Sequence, residues 1–243
     1  MTTKSERHVV NRLIDDLPPK ERTSALGFCD VVELAFGNIL YETGSTIRHV
    51  YFPLNGFVSL VTLLDGRQPL EMALIGNEGM VGVTVALGVA AAPMRIIVQG
   101  SGQALRMKAA DLAQVLDECA TLRQVLNRYL YVTLRQLPQM AACTHFHEIE
   151  PRLARWLLMT HDRSSSDSFH LTHAFLADML GVRRSGVTVA AGSLQLKKLI
   201  DYRRGEITVL NRKGLEKASC TCYQTLINDY DKQLGRGLRI ERH

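Results

Sequence analysis

Apolar and polar positions follow three successive textures along the chain. Val9, Val10, Leu13, Ile14 and Leu17 recur at three/four spacing before Pro18-Pro19, which predicts a short helix pair over 8–28. From Val31 to Met107 the period shortens. The β-prone runs are Val31–Leu34, Ile39–Tyr41, His49–Phe52, Phe57–Leu64, Glu71–Ile75, Arg95–Gln99 and Ala104–Met107. Turn residues such as Gly37, Gly44, Asn55-Gly56, Asp65-Gly66 and Gly76 separate them. Alternation in Val58-Ser59-Leu60-Val61-Thr62 and a spacing of about ten residues predict an antiparallel sandwich or barrel. Residues 108–140 contain no glycine. Leu112, Val115, Leu116, Leu122, Val125, Leu126, Leu130, Val132 and Leu134 predict one short helix and then one long one. Such an apolar stripe must be covered, either by the chain's own core or by a second copy.

From Glu148 the pattern is helical, through Leu153, Ala154, Trp156 and Leu157, up to a polar loop at Asp162–Ser168. Residues 173–192 then place Ala177 where two helices would cross, Gly181 at a sharp turn and Val187 as an apolar contact on a second helix. Leu176, Leu180 and Val182 fill the other inward positions, and Thr172 stands as N-cap. This is helix-turn-helix spacing, although an ordinary helical hairpin also satisfies it. The second helix is expected from about Arg183 or Arg184 to Lys198, with Arg183, Arg184, Ser185 and Thr188 facing outward. Arginine bonds guanine O6 and N7 bidentately, and Ser or Thr bonds a base or a phosphate. Two β-prone runs, Leu199–Tyr202 and Glu206–Leu210, predict a hairpin wing with Arg203 and Arg204 at its tip, suited to phosphate.

Charge sharpens this division. Residues 1–150 hold 13 Lys/Arg against 15 Asp/Glu, whereas residues 151–243 hold 16 against 9. The basic half calls for a polyanion, with a solvated basic face as the plain alternative; Arg236, Arg239 and Arg242 in the tail would add non-specific affinity. Five cysteines without CxxC spacing, and no apolar segment of export or spanning type, predict a cytoplasmic chain with reduced thiols. No nucleophile elbow, HExxH or framed carboxylate pair is present, so an enzyme is not expected.

A small β-barrel, a long connecting helix and a winged helix-turn-helix resemble the Crp/Fnr family of bacterial transcription regulators. The resemblance rests on His49–Gly56, Ile75-Gly76-Asn77-Glu78-Gly79-Met80-Val81-Gly82, Arg152–Leu158 and Leu180-Gly181-Val182-Arg183-Arg184. It implies an α+β fold: an N-terminal antiparallel jelly-roll-like β-barrel over 1–118, a dimerisation helix and hinge over 119–147, and a winged helix-turn-helix over 148–243. It also implies double-stranded DNA, a second copy and RNA polymerase as partners, and a palindromic site read by two recognition helices in successive major grooves. On that likeness Arg184 falls at the family's base-reading arginine and Thr172 at a phosphate-contacting threonine. Ser185, Gly186 and Val189 replace polar residues of the family, so its consensus target does not transfer.

The sensor half departs from cyclic-nucleotide-binding relatives. These carry a Gly-Glu pair and, about ten residues on, an Arg that neutralises the phosphate. Here Gly82-Val83 and Ala92-Pro93 stand at those positions, with Arg95 slightly late. Weak or no cyclic AMP binding is expected, with the effector unknown or absent and no cofactor. Gly76, Gly79 and Gly82 suggest barrel turns rather than a phosphate loop, and Glu78 a solvated turn carboxylate. Only Cys29 lies in the first hundred residues, which leaves no N-terminal iron–sulfur cluster. Cys143, His145 and His147 lie near the end of a helix, where alternate positions diverge, and Cys220 and Cys222 suggest buried thiols. No metal is therefore expected. The rival function is an effector-binding regulatory module acting through protein–protein contacts, with the winged helix as a docking surface.

Overall fold

The computed structural model describes residues 10–63, 69–164 and 166–235. Val9, the Asp65-Gly66 turn, and Arg236, Arg239 and Arg242 lie outside the described residues. The chain begins with two short helices, α1 (Arg12–Asp15) and α2 (Pro19–Gly27). Asn11 caps α1, its side chain accepting from the Leu13 N–H. Pro19 opens α2, where its missing N–H would have had no helical partner.

The expected strands follow as β1 (Cys29–Leu34), β2 (Ile39–Tyr41), β3 (His49–Pro53), β4 (Phe57–Thr62), β5 (Leu70–Ile75), β6 (Arg95–Gly100) and β7 (Gly102–Lys108). They form two antiparallel sheets, ordered β1-β7-β3 and β2-β6-β4-β5. The sheets are not closed into one barrel, and the fold is a jelly-roll-like sandwich. Phe52, Val58, Ile96, Val98 and Met107 are among its buried core. β4 and β5 do not keep the one-sided burial that alternation predicts. Ser59 and Glu71, polar positions of that pattern, are buried as well. The reason is that β5 is covered by helices from the other half of the chain.

Next come α3 (Ala109–Glu118) and the 27-residue α4 (Ala120–Phe146). Glu21 caps α4: its carboxylate accepts from the Thr121 N–H at 3.1 Å and from the Thr121 hydroxyl at 2.8 Å. A carboxylate at this end also complements the helix dipole. The apolar stripe of α4 divides. Leu122, Leu126, Tyr129 and Val132 are buried within the chain, whereas Tyr131, Leu134 and Pro138 are exposed on another face.

The C-terminal half comprises α5 (Ile149–His161), β8 (Ser168–His170), α6 (His173–Leu180), α7 (Arg184–Leu196), β9 (Ile200–Arg203), β10 (Glu206–Val209), α8 (Arg212–Ala218) and α9 (Cys222–Leu234). Its sheet runs β8-β10-β9, so the wing has a third strand, which begins at Ser168, the last residue of the expected loop. α9 packs along α4, where Arg135 meets Asp229 at 3.2 Å.

Candidate nucleic-acid interface

The helix-turn-helix is assembled by local rules. Thr172 has extended backbone and its hydroxyl accepts from the Phe175 N–H at 3.1 Å, which caps α6. Gly181 ends α6 with φ of 63°, a left-handed conformation that glycine adopts without side-chain strain. Ala177 and Val187 are buried where α6 and α7 meet. α7 starts at Arg184, and Arg183, Arg184, Ser185, Thr188 and Val189 are all exposed around its first turns. The free N–H groups of a helix start add positive potential beside the two guanidinium groups.

Thr188 has a further task that its position alone did not suggest. Its hydroxyl donates to the Arg184 carbonyl at 3.1 Å and lies 2.9 Å from His173 Nδ1. The His173 ring stacks on Tyr202 of the wing, with centroids 4.4 Å apart. One histidine thus ties the starts of α6 and α7 to β9. Burial, and secondarily Arg184, lowers its pKa, so the neutral ring is favoured. Sequence reasoning passed over His173 and Tyr202; a histidine directly after the N-cap was the available signal.

The wing tip is Arg203-Arg204-Gly205-Glu206. Arg204 and Gly205 have φ of 53° and 85°, as a two-residue type I′ turn requires. Arg203 projects with its side chain 82% exposed, steadied by Asp201. Arg204 is exposed as well. The basic residues of this half do not all reach the surface. Arg152, Arg155 and Arg163 are buried and Arg212 nearly so.

One of those buried arginines, Arg163, marks a junction between the halves. Arg163 Nε donates to Glu78 at 2.9 Å, with both side chains 1% exposed. Glu78 is therefore not a solvated turn carboxylate; a partner from the turn after α5 is buried with it. A Cβ on Gly76 would lie 2.8 Å from the Arg163 side chain, and one on Gly79 2.4 Å from the Tyr129 hydroxyl oxygen. These glycines leave room for α4 and for Arg163. In parallel, Trp156 Nε1 donates to Glu71 at 2.8 Å, and the Ser59 hydroxyl lies 2.7 Å from the other carboxyl oxygen. Burial raises the Glu71 pKa to about 7, against the pull of Ser59 and Arg155. Leu70 of β5 reaches the Gly181 turn itself.

The positions weighed for a cyclic nucleotide are otherwise engaged. Arg95 is held bidentately by Glu42 at 2.8 and 3.0 Å. Val83 and Ala92 are buried. Cys220 and Cys222 are buried thiols, as expected, but they do not stand alone. His145 is exposed, but Cys143, His147, Cys220 and Cys222 converge, their ligand atoms all within 4.8 Å of one another.

The "Crp-like helix-turn-helix domain" profile matches residues 151–218 and the "cyclic nucleotide-binding domain" profile residues 31–119, together almost two thirds of the chain. No curated protein matches it. Among solved structures it is similar to FixK2 from Bradyrhizobium japonicum, with TM-score 0.67 and 15% identity over 79% of this chain and 98% of that one. A putative Crp/Fnr-family regulator from Eubacterium rectale gives 0.64 and 16%, over 85% and 96%. The c-di-GMP-responsive global regulator CLP of Xanthomonas campestris gives 0.59 and 16%, over 79% and 99%. With both domain profiles in the expected order on the expected fold, the chain belongs to the Crp/Fnr family of transcription regulators.

Proposed function

We propose that this protein regulates transcription in the cytoplasm as a homodimer that binds a two-fold symmetric DNA site, with RNA polymerase as a further partner. The observation that carries the reading is the exposed start of α7, with Arg183, Arg184 and Ser185 beside the arginine-tipped wing. Arg184 reads a base; Thr172, Arg203 and Arg204 hold phosphates; Thr188 acts chiefly by fixing His173. The division into a sensor over 1–118, a dimerisation helix over 119–147 and a reading domain over 148–243 belongs to the same proposal. The exposed Tyr131, Leu134 and Pro138 face of α4 supports pairing through that helix.

The sensor is a degenerate cyclic-nucleotide domain. Arg95 is already neutralised by Glu42, and Val83 offers no acceptor for a ribose hydroxyl. Any effector would act by preferring one arrangement of sensor and reading domain, through the Glu71–Trp156 and Glu78–Arg163 contacts. The test is selection from a random duplex library with purified protein and no added effector. Enrichment of a palindrome with half-sites about one helical turn apart is expected. Enrichment of single asymmetric sites would overturn the dimeric reading. Binding with no sequence preference and no salt dependence would favour the protein-docking alternative.

A further inference from the structure

We infer that Cys143, His147, Cys220 and Cys222 form a structural Zn²⁺ site that clamps the end of α4 to the α8–α9 junction. Cys143 and His147 stand four residues apart at the last turn of α4, on one side of the helix. Cys220 and Cys222 flank the first residue before α9. All three thiols are buried, and His147 is half-buried. Bonds of about 2.3 Å to sulfur and 2.0–2.1 Å to nitrogen place tetrahedral ligands about 3.8 Å (S···S) and 3.6 Å (S···N) apart. Cys143 and Cys220 sulfurs lie 3.6 Å apart, and Cys222 Sγ lies 3.5 Å from His147 Nδ1. The spacing is that of ligands around one ion. An iron–sulfur cluster spreads four ligands over two or more irons, so some of its ligand atoms lie farther apart than the 4.8 Å that bounds this set. Three thiolates and one imidazole are a donor set that selects a borderline-soft tetrahedral cation.

The surroundings supply a second, independent indication. Arg155 is buried, yet its NH1 and NH2 groups meet only the Met159 and Met140 sulfurs, at 3.3 and 3.4 Å, and its Nε has no hydrogen-bond partner. Thioethers are weak acceptors and a buried cation needs a counter-charge, yet the one carboxyl already described as facing Arg155, Glu71, is pushed by burial toward its neutral form and offsets it only in part. Arg155 lines the same cavity as Cys143 and Cys222. Three thiolates around Zn²⁺ leave one net negative charge, which that guanidinium complements. Gln139 completes the shell, its amide donating to Cys222 Sγ at 3.0 Å, as outer partners of metal thiolates do. The ion would join the long helix to the last helix, across 77 residues of sequence.

The test uses the full chain purified under reducing conditions without chelator. Elemental analysis is expected to give one zinc per chain, and exchange with Co²⁺ a tetrahedral spectrum with thiolate-to-cobalt charge transfer. Cys143→Ser and Cys222→Ser should each lose the metal, and His145→Ala should keep it. Should the cysteine variants fail to fold, His147→Cys decides: it should retain cobalt with the spectrum shifted toward four thiolates. The proposal is overturned by metal-free protein that takes up no Co²⁺ into a tetrahedral site. It is equally overturned by a Cys143–Cys220 disulfide whose reduction restores no metal uptake, by several irons with sulfide, or by loss of metal from His145→Ala.

Discussion

Arg203 and Arg163 belong to the same C-terminal half, yet the first side chain is 82% exposed and the second 1%. Arg203 sits beside a hairpin tip, held out by the turn and steadied only by its near neighbour Asp201; Arg163 is fixed by a carboxylate of the other half of the chain. Arg184 goes with the first and Arg152 with the second, its guanidinium donating to the Leu180 carbonyl at the end of α6. Two separate uses of one residue type follow. Exposed arginines offer charge to a polyanion, whereas buried ones are structural: Arg152 ties α5 to the end of α6, and Arg163 ties the turn after α5 to the N-terminal half. The excess of basic residues after position 150 therefore overstates the surface charge, because part of it is internal.

The largest effect should come from the buried class. Arg163→Met leaves Glu78 desolvated and unpaired, so urea unfolding should show a loss of about 3–5 kcal/mol. Adding Glu78→Gln should recover much of it; no recovery would show that packing, and not charge pairing, sets the junction. Arg184→Ala should cost about 1–3 kcal/mol on the cognate duplex by fluorescence anisotropy and relax specificity. Its unfolding midpoint should stay put, and a matching loss of stability would place Arg184 with the buried class instead.

Glu71 sharpens the comparison through pH. Its carboxyl in the folded chain favours the proton up to about pH 7, against 4.5 for the unreacted group, with Arg155 and Arg163 facing it. The folded state then binds the extra proton, so this stabilisation is present below about 4.5 and is lost as pH rises through about 7. Glu71→Gln should flatten that slope and raise stability at pH 8 by on the order of 1 kcal/mol, read from thermal melts at pH 5 and 8. The smallest effect belongs to the wing. Arg203→Ala should weaken all duplexes about equally and lower the salt slope by about one; a loss confined to one sequence would contradict phosphate contact.

The strands and the helix-turn-helix were legible because their signals are local. Glycine at a left-handed turn, alternation between turns and a capping threonine each act within a few residues. β8 was not legible, since three residues become a strand only by pairing with β10, far along the chain. Glu78 looked solvated for the same reason, its partner lying 85 residues away. Cys143 and His147 did carry a local signal, their four-residue spacing, but His145 between them diverted attention to a set that diverges around the helix. Cys220 and Cys222 join the pair only through the packing of α9 on α4.

Trp156 is the chain's single tryptophan, and its indole N–H is bonded to a carboxyl group of the opposite half. The molecule therefore carries a built-in optical reporter, a single indole that can be excited at wavelengths where its seven tyrosines barely absorb. Undocking of α5 from β5 would exchange a buried, hydrogen-bonded indole for a wetter one and shift its emission to the red. Any small molecule that rearranges the two halves can thus be found by scanning intrinsic fluorescence during a titration, before its identity or its DNA site is known.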